Sequence, residues 1–142
     1  IIDTRQRISA KSPQPGYRLP DIAFTHHEKP CRINDILRTE KHSLLIFTGT
    51  HLSQNHLHQI EQIQTWCNHQ TNFIKLTLIA LPHCTKQLTG EYIDDSQQQL
   101  HTAYHIVNAS FIMVRPDNYI GCCSDQLHLE LLQQYWKNLT DT

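Results

Sequence analysis

Apolar residues follow two spacings along this chain, and each spacing predicts one kind of element. Short continuous apolar runs bounded by turn-forming residues are typical of strands buried in a sheet. Apolar residues three or four positions apart, with polar residues between them, are typical of amphipathic helices. The runs that predict buried strands cover 43–48, 72–81, 110–115 and 119–122.

The helical spacing occurs in four stretches that alternate with these runs. In the clearest of them, Ile60 and Ile63 share one face and Ser53 is placed to cap the first turn. Asp94 and Asp95 are candidate caps for the third helix. The four helical stretches are 32–39, 53–68, the segment that ends near Tyr104, and 124–139.

The remaining segments predict a lead-in and loops. Residues 1–20 hold several prolines and few apolar residues, so we expect an extended linker there, followed by one domain over 21–142. Within that domain, residues 20–24 predict a short edge strand and residues 83–95 predict a loop.

The order of the predicted elements narrows the fold class. The first two core strands are joined through a helix, so we expect them to be parallel with a right-handed crossover. Pro116 and Asn118 supply turn chemistry for a hairpin that adds two antiparallel strands. This order is that of the thioredoxin fold. The chain is therefore predicted to be an α/β protein with a mixed four-stranded core sheet flanked by helices.

Thiol chemistry in this fold depends on the junction after the first core strand, where a helix N-terminus stabilises a thiolate. In this chain the junction, residues 47–54, contains no Cys, so the Cys-x-x-Cys pair is absent. Redox-active thioredoxins typically have a cis-Pro just before the third core strand. In this chain the corresponding residues, 107–110, contain no Pro. We therefore expect a thioredoxin-like domain without its thiol chemistry.

The cysteines elsewhere do not restore that chemistry. Their number is odd and their spacing irregular, which favours reduced thiols in a cytoplasmic protein over a disulfide framework. We interpret them as buried or incidental thiols. They are Cys31, Cys67, Cys84, Cys122 and Cys123.

Histidine and acidic residues form no recognisable site either. His51, His56 and His58 lack the partners of a zinc site and are interpreted as polar surface. Asp94 and Asp95 are interpreted as helix caps and not as paired catalytic carboxylates. No catalytic, cofactor-binding or metal-binding residue is assigned to this chain.

Composition excludes several kinds of partner. The formal net charge is -1 and no basic block occurs, so a nucleic-acid partner is not expected. The apolar runs are too short to span a bilayer, so no membrane partner is expected. The four Gly are far apart, so no dinucleotide-binding glycine pattern occurs. The single Met is Met113, so we expect the chain to be either a processed protein or a piece of a longer one.

Two stretches have a distinctive residue order. The first combines Pro-Gly-Tyr-Arg-Leu-Pro over 15–20 with Arg-Ile-Asn-Asp-Ile-Leu over 32–37. The second is an apolar strand followed by Arg-Pro-Asp-Asn, over 110–118, with Tyr104 upstream. Together they resemble the C-terminal thioredoxin-like domain of FAD-dependent aromatic-ring hydroxylases, the relatives of phenol hydroxylase and para-hydroxybenzoate hydroxylase. Asn118 stands where that family usually has Gly, and Asn also tolerates positive φ.

The resemblance implies a parent protein that is an FAD-dependent, NAD(P)H-using monooxygenase of an aromatic or polyketide-like substrate. Cofactor and substrate sites would lie in upstream domains, and this chain would hold no cofactor and no catalytic residue. Its partners would be the upstream flavin-binding domain of the same polypeptide and, in a homodimer, a second copy.

Two other functions stay open. Residues 16–24, together with the helix at 32–39 and the strand at 43–48, also resemble the start of a peroxiredoxin, although its Thr-x-x-Cys is absent. The chain could also be a stand-alone thioredoxin-fold binding or dimerisation module. Tyr135 and Trp136, on the last helix, are the candidate contact residues for such a module.

Overall fold

The computed structural model describes residues 6–140, and the elements follow the predicted order. The strands are β1 (Ala23–His26), β2 (Lys29–Arg32), β3 (His42–Phe47), β4 (Ile74–Ala80), β5 (Ile93–Asp94), β6 (Ser110–Val114) and β7 (Ile120–Ser124). The helices are α1 (Ile33–Ile36), α2 (Gln54–Asn68), α3 (Gln99–Ala103) and α4 (Leu129–Thr140), with a 3-10 helix over Pro82–Gln87.

One mixed sheet forms the centre of the fold, in the order β5-β4-β3-β6-β7. β3, β4 and β5 are parallel, and β6 and β7 add antiparallel strands. The predicted α/β class and mixed sheet are therefore confirmed. The sheet has five strands instead of four, because β5 lies in the stretch 83–95 that was predicted as loop. β5 pairs only Ile93 and Asp94 with β4, and two residues leave no periodic signal in a sequence.

A strand does start within the predicted stretch 20–24, but it begins late in that stretch and lies outside the main sheet. β1 begins at Ala23 and pairs with β2 in a separate hairpin, not with the main sheet. His27 and Glu28 connect the two strands with φ values of 49° and 65°. Positive φ at both central residues is the conformation of the tight two-residue hairpin turn.

Side chains of the central strands alternate between two buried layers. Leu44 and Ile46 belong to the layer that includes residues of α2 and α4, and Leu45 and Phe47 belong to the layer that includes residues of α1 and α3. All four side chains are fully buried. The continuous apolar run thus arises because β3 is covered on both faces.

The sequence predicted the start of α2 accurately and the start of α4 less accurately. α2 matches its predicted start, and the Oγ of Ser53 accepts a hydrogen bond from the His56 N–H at 3.1 Å, which confirms the cap. α4 begins at Leu129 and not at 124, because β7 continues to Ser124, whose Oγ accepts the Gln126 N–H in the following turn. No helix among residues 6–140 is long and apolar enough to cross a membrane.

The described part of the lead-in, residues 6–20, packs on the domain without forming a helix or a named strand. Leu19 is 1% exposed, and the Gly16 N–H donates to the Ile120 carbonyl at 2.9 Å. Arg18 forms an isolated bridge with Tyr119 beside β7. This segment therefore covers part of the β7 edge, and the division of the chain at residue 20 stays a prediction.

Candidate functional site

The junction between β3 and α2 is the position at which a thioredoxin fold carries its reactive thiol. In this chain the junction consists of Thr48, Gly49, Thr50, His51, Leu52 and Ser53. The loop 105–109, which leads into β6, lies directly against it, since the Thr50 N–H donates to the Val107 carbonyl at 2.8 Å. The fold therefore brings together the two stretches in which the sequence lacks a Cys and a Pro.

Gly49 makes the close approach of this loop possible. Its φ is +69°, in the left-handed region that favours glycine. A Cβ atom at this position would lie 2.4 Å from the carbonyl carbon of Asn108 and 2.6 Å from the Ala109 nitrogen. Backbone therefore fills the space that a side chain at the junction would occupy.

A buried His101–Asp95 pair faces the junction from the other side. The Gly49 N–H donates to His101 Nε2 at 3.1 Å, so Nε2 carries no proton and acts as an acceptor. Nδ1 therefore holds the proton and donates it to Asp95 Oδ2 at 2.8 Å. The ring of Phe47 contacts the imidazole edge-on, and both side chains of the pair are almost fully buried.

Of the two predicted caps, Asp95 caps α3, whereas Asp94 lies in β5 and pairs with Ala80 of β4. The Asp95 carboxylate accepts the N–H groups of Leu100 and His101 at 3.1 and 2.9 Å, while the N-cap residue of α3 is Gln98. Burial alone would raise the pKa of Asp95. The hydrogen bonds from His101 and Leu100 outweigh burial, so the pKa of this carboxyl lies below its usual value.

Hydrogen bonds within the junction use its remaining polar groups. Thr48 Oγ1 accepts the Leu81 N–H at 3.1 Å and donates to the Gly49 carbonyl at 3.1 Å. The same carbonyl receives the Cys84 thiol at 3.7 Å, and the His83 ring contacts the Thr50 carbonyl. A network of internal contacts thus occupies the place of the thiol site.

The N-terminus of α2 is closed by its own residues. Besides the bond from His56 to Ser53 Oγ, the Ser53 N–H donates to His56 Nδ1 at 3.1 Å, which completes a reciprocal cap. The Leu57 N–H donates to the Ser53 carbonyl. In a thiol enzyme the free N–H groups of this first turn would stabilise a thiolate.

The thiols are unsuited to nucleophilic chemistry where their titration is resolved. Burial raises the pKa of Cys67 to about 12 and that of Cys123 to about 11, and it raises the pKa of Cys122 further. Cys84 is also buried, whereas Cys31 is half-buried in the β1–β2 hairpin. All five cysteines are free.

The histidines singled out in the sequence do not converge on one point. His56 completes the α2 cap, while His51 and His58 are exposed. Within residues 6–140, no group of three or more His, Cys, Asp or Glu side chains is arranged to hold a metal ion. His101, which the sequence did not single out, is the buried histidine of α3 that bonds to the junction. It lies six positions from Asp95, and this spacing is not a recognised motif.

The Arg-Pro-Asp-Asn segment forms the turn between β6 and β7. Arg115 Nε donates to Asp117 Oδ1 at 3.2 Å, and the Tyr119 N–H donates to the same oxygen at 3.1 Å. Asn118 has a φ of 70°, as expected for a residue that replaces Gly in this turn. Asp117 is therefore both an acceptor within the turn and the partner of Arg115. Their hydrogen bond holds the pKa of Asp117 below its usual value.

Tyr104, upstream of this segment, ties α3 to the lead-in. Its ring is fully buried against Phe47, and its hydroxyl donates to the Pro20 carbonyl at 2.6 Å. Burial raises the pKa of the phenol well above its usual value, so Tyr104 stays neutral. Tyr104 therefore holds the lead-in, at Pro20, against the end of α3.

Comparisons with known proteins place the fold. No family model matches the chain, and no curated protein matches it. A protein of Chlorobium tepidum described as the thiol:disulfide interchange protein DsbE is 15% identical, with a TM-score of 0.66, over 89% of this chain and 98% of that chain. The exposed lipoprotein thioredoxin Etrx1 of Streptococcus pneumoniae is 12% identical, with a TM-score of 0.61, over 83% and 99%. The chain has a thioredoxin-like fold.

One similar structure belongs to a much longer protein. The flavin-dependent monooxygenase PieE, solved with FAD and substrate, is 15% identical with a TM-score of 0.66. The match covers 98% of this chain but 22% of PieE, so the chain spans less than a quarter of that enzyme. Identities this low show the shared fold alone.

Proposed function

We propose that this chain is a thioredoxin-fold module that performs no thiol–disulfide or peroxide chemistry and works by binding or packing against another protein surface. The observation that carries the proposal is the β3–α2 junction. Gly49 and Thr50 stand where the thiol would be, and their N–H groups bond to His101 and Val107. A disulfide or peroxide substrate would meet no nucleophile at this position, and the N–H groups of Gly49 and Thr50 are already bonded.

No neighbouring thiol substitutes for the missing one. Cys84 is the cysteine in contact with the junction, and its thiol donates to the Gly49 carbonyl. Cys84 is 1% exposed. A hydrogen bond to a carbonyl stabilises the thiol and not the thiolate, which is the reactive form.

Two activity assays test this proposal. The purified chain is incubated with insulin and dithiothreitol to measure disulfide reduction, and with hydrogen peroxide and a thiol donor to measure peroxidase turnover. We expect both rates to equal the rate without protein. Turnover above that level that is lost in Cys84→Ala, and kept in Cys31→Ala as the matched control, would overturn the proposal.

A second candidate function is that of a C-terminal domain in a flavin-dependent monooxygenase, packed on the flavin-binding domain. The match to PieE over 98% of this chain favours it. The turn at Arg115 and Asp117, on which the resemblance to aromatic hydroxylases depends, forms as that resemblance implies. In this case the activity, the substrate and the cofactors would belong to the parent protein.

The residues of this chain do not fit the cofactor of that parent. FAD-binding domains hold the pyrophosphate on a glycine-rich loop at a helix N-terminus. The glycines here stand singly, and the N-terminus of α2, which follows Gly49, is closed by Ser53 and His56. FAD would therefore bind outside this chain.

The coding sequence upstream of Ile1 separates the two candidates. The monooxygenase candidate requires an in-frame domain with a Gly-x-Gly-x-x-Gly loop, and that domain should co-purify with this chain when the two are expressed as separate fragments. A stop codon shortly before Ile1, or failure of the fragments to associate, would leave the stand-alone module as the function.

A further inference from the structure

Helix α3 is held in place against unfavourable backbone geometry at both of its ends. Gln98, directly before the helix, has a φ of 56°, and His105, shortly after it, has a φ of 55°. Neither residue is a glycine, and left-handed backbone is unfavourable for residues with a Cβ atom. Contacts with residues outside the helix must offset this, because five residues cannot form a stable helix alone.

Several of the contacts that hold α3 in place are made by His101. His101 accepts the Gly49 N–H and donates to Asp95, so it connects α3 with the junction and with the residue after β5. The Ile106 N–H donates to the His101 carbonyl at 2.8 Å, which holds the start of loop 105–109 to the same residue. The contact between the junction and that loop, from Thr50 to Val107, lies directly beside it.

Protonation would break this connection at a single atom. The Gly49 N–H can bond to Nε2 only while Nε2 keeps its lone pair. In the doubly protonated ring both nitrogens are donors, so two N–H groups would point at each other across 3.1 Å. Asp95 would still pair with Nδ1, and the ring would have to leave Gly49.

We propose that the Asp95–His101 pair is an acid-sensitive latch. When His101 is neutral, α3 and loop 105–109 are fastened to the β3–α2 junction. When His101 takes up a proton, the bond to Gly49 is lost, and α3 moves with loop 105–109 away from the junction. The movement uncovers the N–H groups of Gly49 and Thr50.

Asp95 and Tyr104, which lie beside His101, keep their charge state in the range over which histidine titrates, about pH 5 to 8. Asp95, whose pKa lies below its usual value, stays ionised there. Tyr104, which packs with His101 against Phe47, stays neutral because burial raises its pKa. Cys84 contacts the Gly49 carbonyl from the 3-10 helix.

Charged groups on the other neighbouring elements lie farther out. His51 is exposed within the junction, and His105 is exposed in the loop after α3. His83, on the 3-10 helix, is exposed beside the Thr50 carbonyl that it contacts. His26 on β1, which packs on α3, is half-buried beside Asp94 of β5, and burial lowers the pKa of His26. His26 therefore stays neutral to a lower pH than a histidine at the surface. The variant His101→Gln distinguishes a response of His101 from one of His51, His83 or His105.

The test follows the Gly49 amide by NMR between pH 7.5 and 5.0, with hydrogen exchange corrected for its intrinsic pH dependence. The ring nitrogen shifts of His101 are recorded in the same samples. At pH 7.5 we expect the neutral ring with its proton on Nδ1 and a protected Gly49 amide. At pH 5.0 we expect a protonated ring and a protection of Gly49 and Thr50 that is lower by about tenfold or more.

Two variants separate the latch from a general effect of acid. In His101→Gln the side-chain oxygen can still accept the Gly49 N–H but cannot gain a proton, so the loss of protection at pH 5.0 should disappear. His58→Gln, at an exposed position on α2, is the matched control and should behave as the wild type.

Three results would overturn the latch. The first is a protonated His101 with unchanged protection of Gly49. The second is a ring that stays neutral at pH 5.0. The third is a simultaneous loss of protection throughout β3, β4 and β6, because this would show global unfolding instead of local release.

Discussion

Asp95 and Asp117 each order the chain at one end of the sheet, but Asp95 is buried and Asp117 is exposed. Asp95 bonds to His101 and to backbone N–H groups of α3, and Asp117 bonds to Arg115 and to the Tyr119 N–H. The sets of partners are alike, but the side chain of Asp95 is 1% exposed and that of Asp117 is 50% exposed. Burial, and not the number of hydrogen bonds, decides what each carboxylate contributes.

Water explains the difference. At the exposed turn, solvent can replace every bond of Asp117, so an ion pair there contributes about 0–1 kcal/mol. At the junction, no solvent reaches Asp95, so its removal leaves buried donors of His101 and Leu100 without acceptors. The buried pair therefore connects elements that are distant in the chain, while the exposed pair orders one turn.

The largest effect is expected from Asp95→Ala. This substitution leaves the Nδ1 proton and two backbone N–H groups buried without acceptors, and we expect a loss of about 4 kcal/mol of unfolding free energy. Urea unfolding followed by circular dichroism measures it. A loss below about 1 kcal/mol would show that water replaces the carboxylate and that the junction is open.

A conservative variant of the same residue gives the pH dependence. The folded pKa of Asp95 lies below the unfolded value of about 3.9, so the ionised form stabilises the folded state. That contribution is complete above the unfolded pKa and is lost as the pH falls through the folded pKa. The stability difference between the wild type and Asp95→Asn should therefore be full at pH 7 and should close only below about pH 3.9.

Gly49→Ala tests whether backbone fills the junction. We expect a loss of about 3 kcal/mol, because the new Cβ meets loop 105–109 in addition to adopting unfavourable positive φ. Gly90→Ala is the matched control, since Gly90 has a φ of +86° with nothing within 4 Å of its Cβ position. That control should lose about 1–2 kcal/mol, from the backbone alone. Equal losses of stability in the two variants, measured by thermal unfolding, would contradict the conclusion that backbone fills the junction.

The smallest structural effect is expected at the exposed turn. Asp117→Ala removes the acceptor for Arg115 and for the Tyr119 N–H, and we expect a loss of about 0.5–1 kcal/mol. Asp117→Asn, which keeps the acceptor but not the charge, should recover part of it. High salt should reduce the difference between the wild type and Asp117→Asn, because it screens the ion pair between Arg115 and Asp117. If Asp117→Ala leaves the stability unchanged, the turn role assigned to Asp117 is wrong.

The contrast between the exposed turn and the buried pair also explains which features could be predicted from the sequence. The turn at Pro116 and Asn118 and the cap at Ser53 are local, so residue types at fixed short spacings were sufficient to predict them. The short strand β5 and the His101–Asp95 pair depend on how distant segments pack, and neither has a local signal. The sequence shows that the junction between β3 and α2 lacks a Cys, but it does not show the hydrogen-bond network that takes the place of the thiol.

The central claim is that this thioredoxin-like fold carries no activated thiol. The measurement that tests it most directly is the alkylation rate of each cysteine by iodoacetamide at pH 7.5, resolved by mass spectrometry and compared with free cysteine. Half-buried Cys31 should react fastest and no faster than free cysteine, and Cys67, Cys84, Cys122 and Cys123 should react at least about a hundredfold more slowly. A buried cysteine that reacts faster than free cysteine would contradict the account.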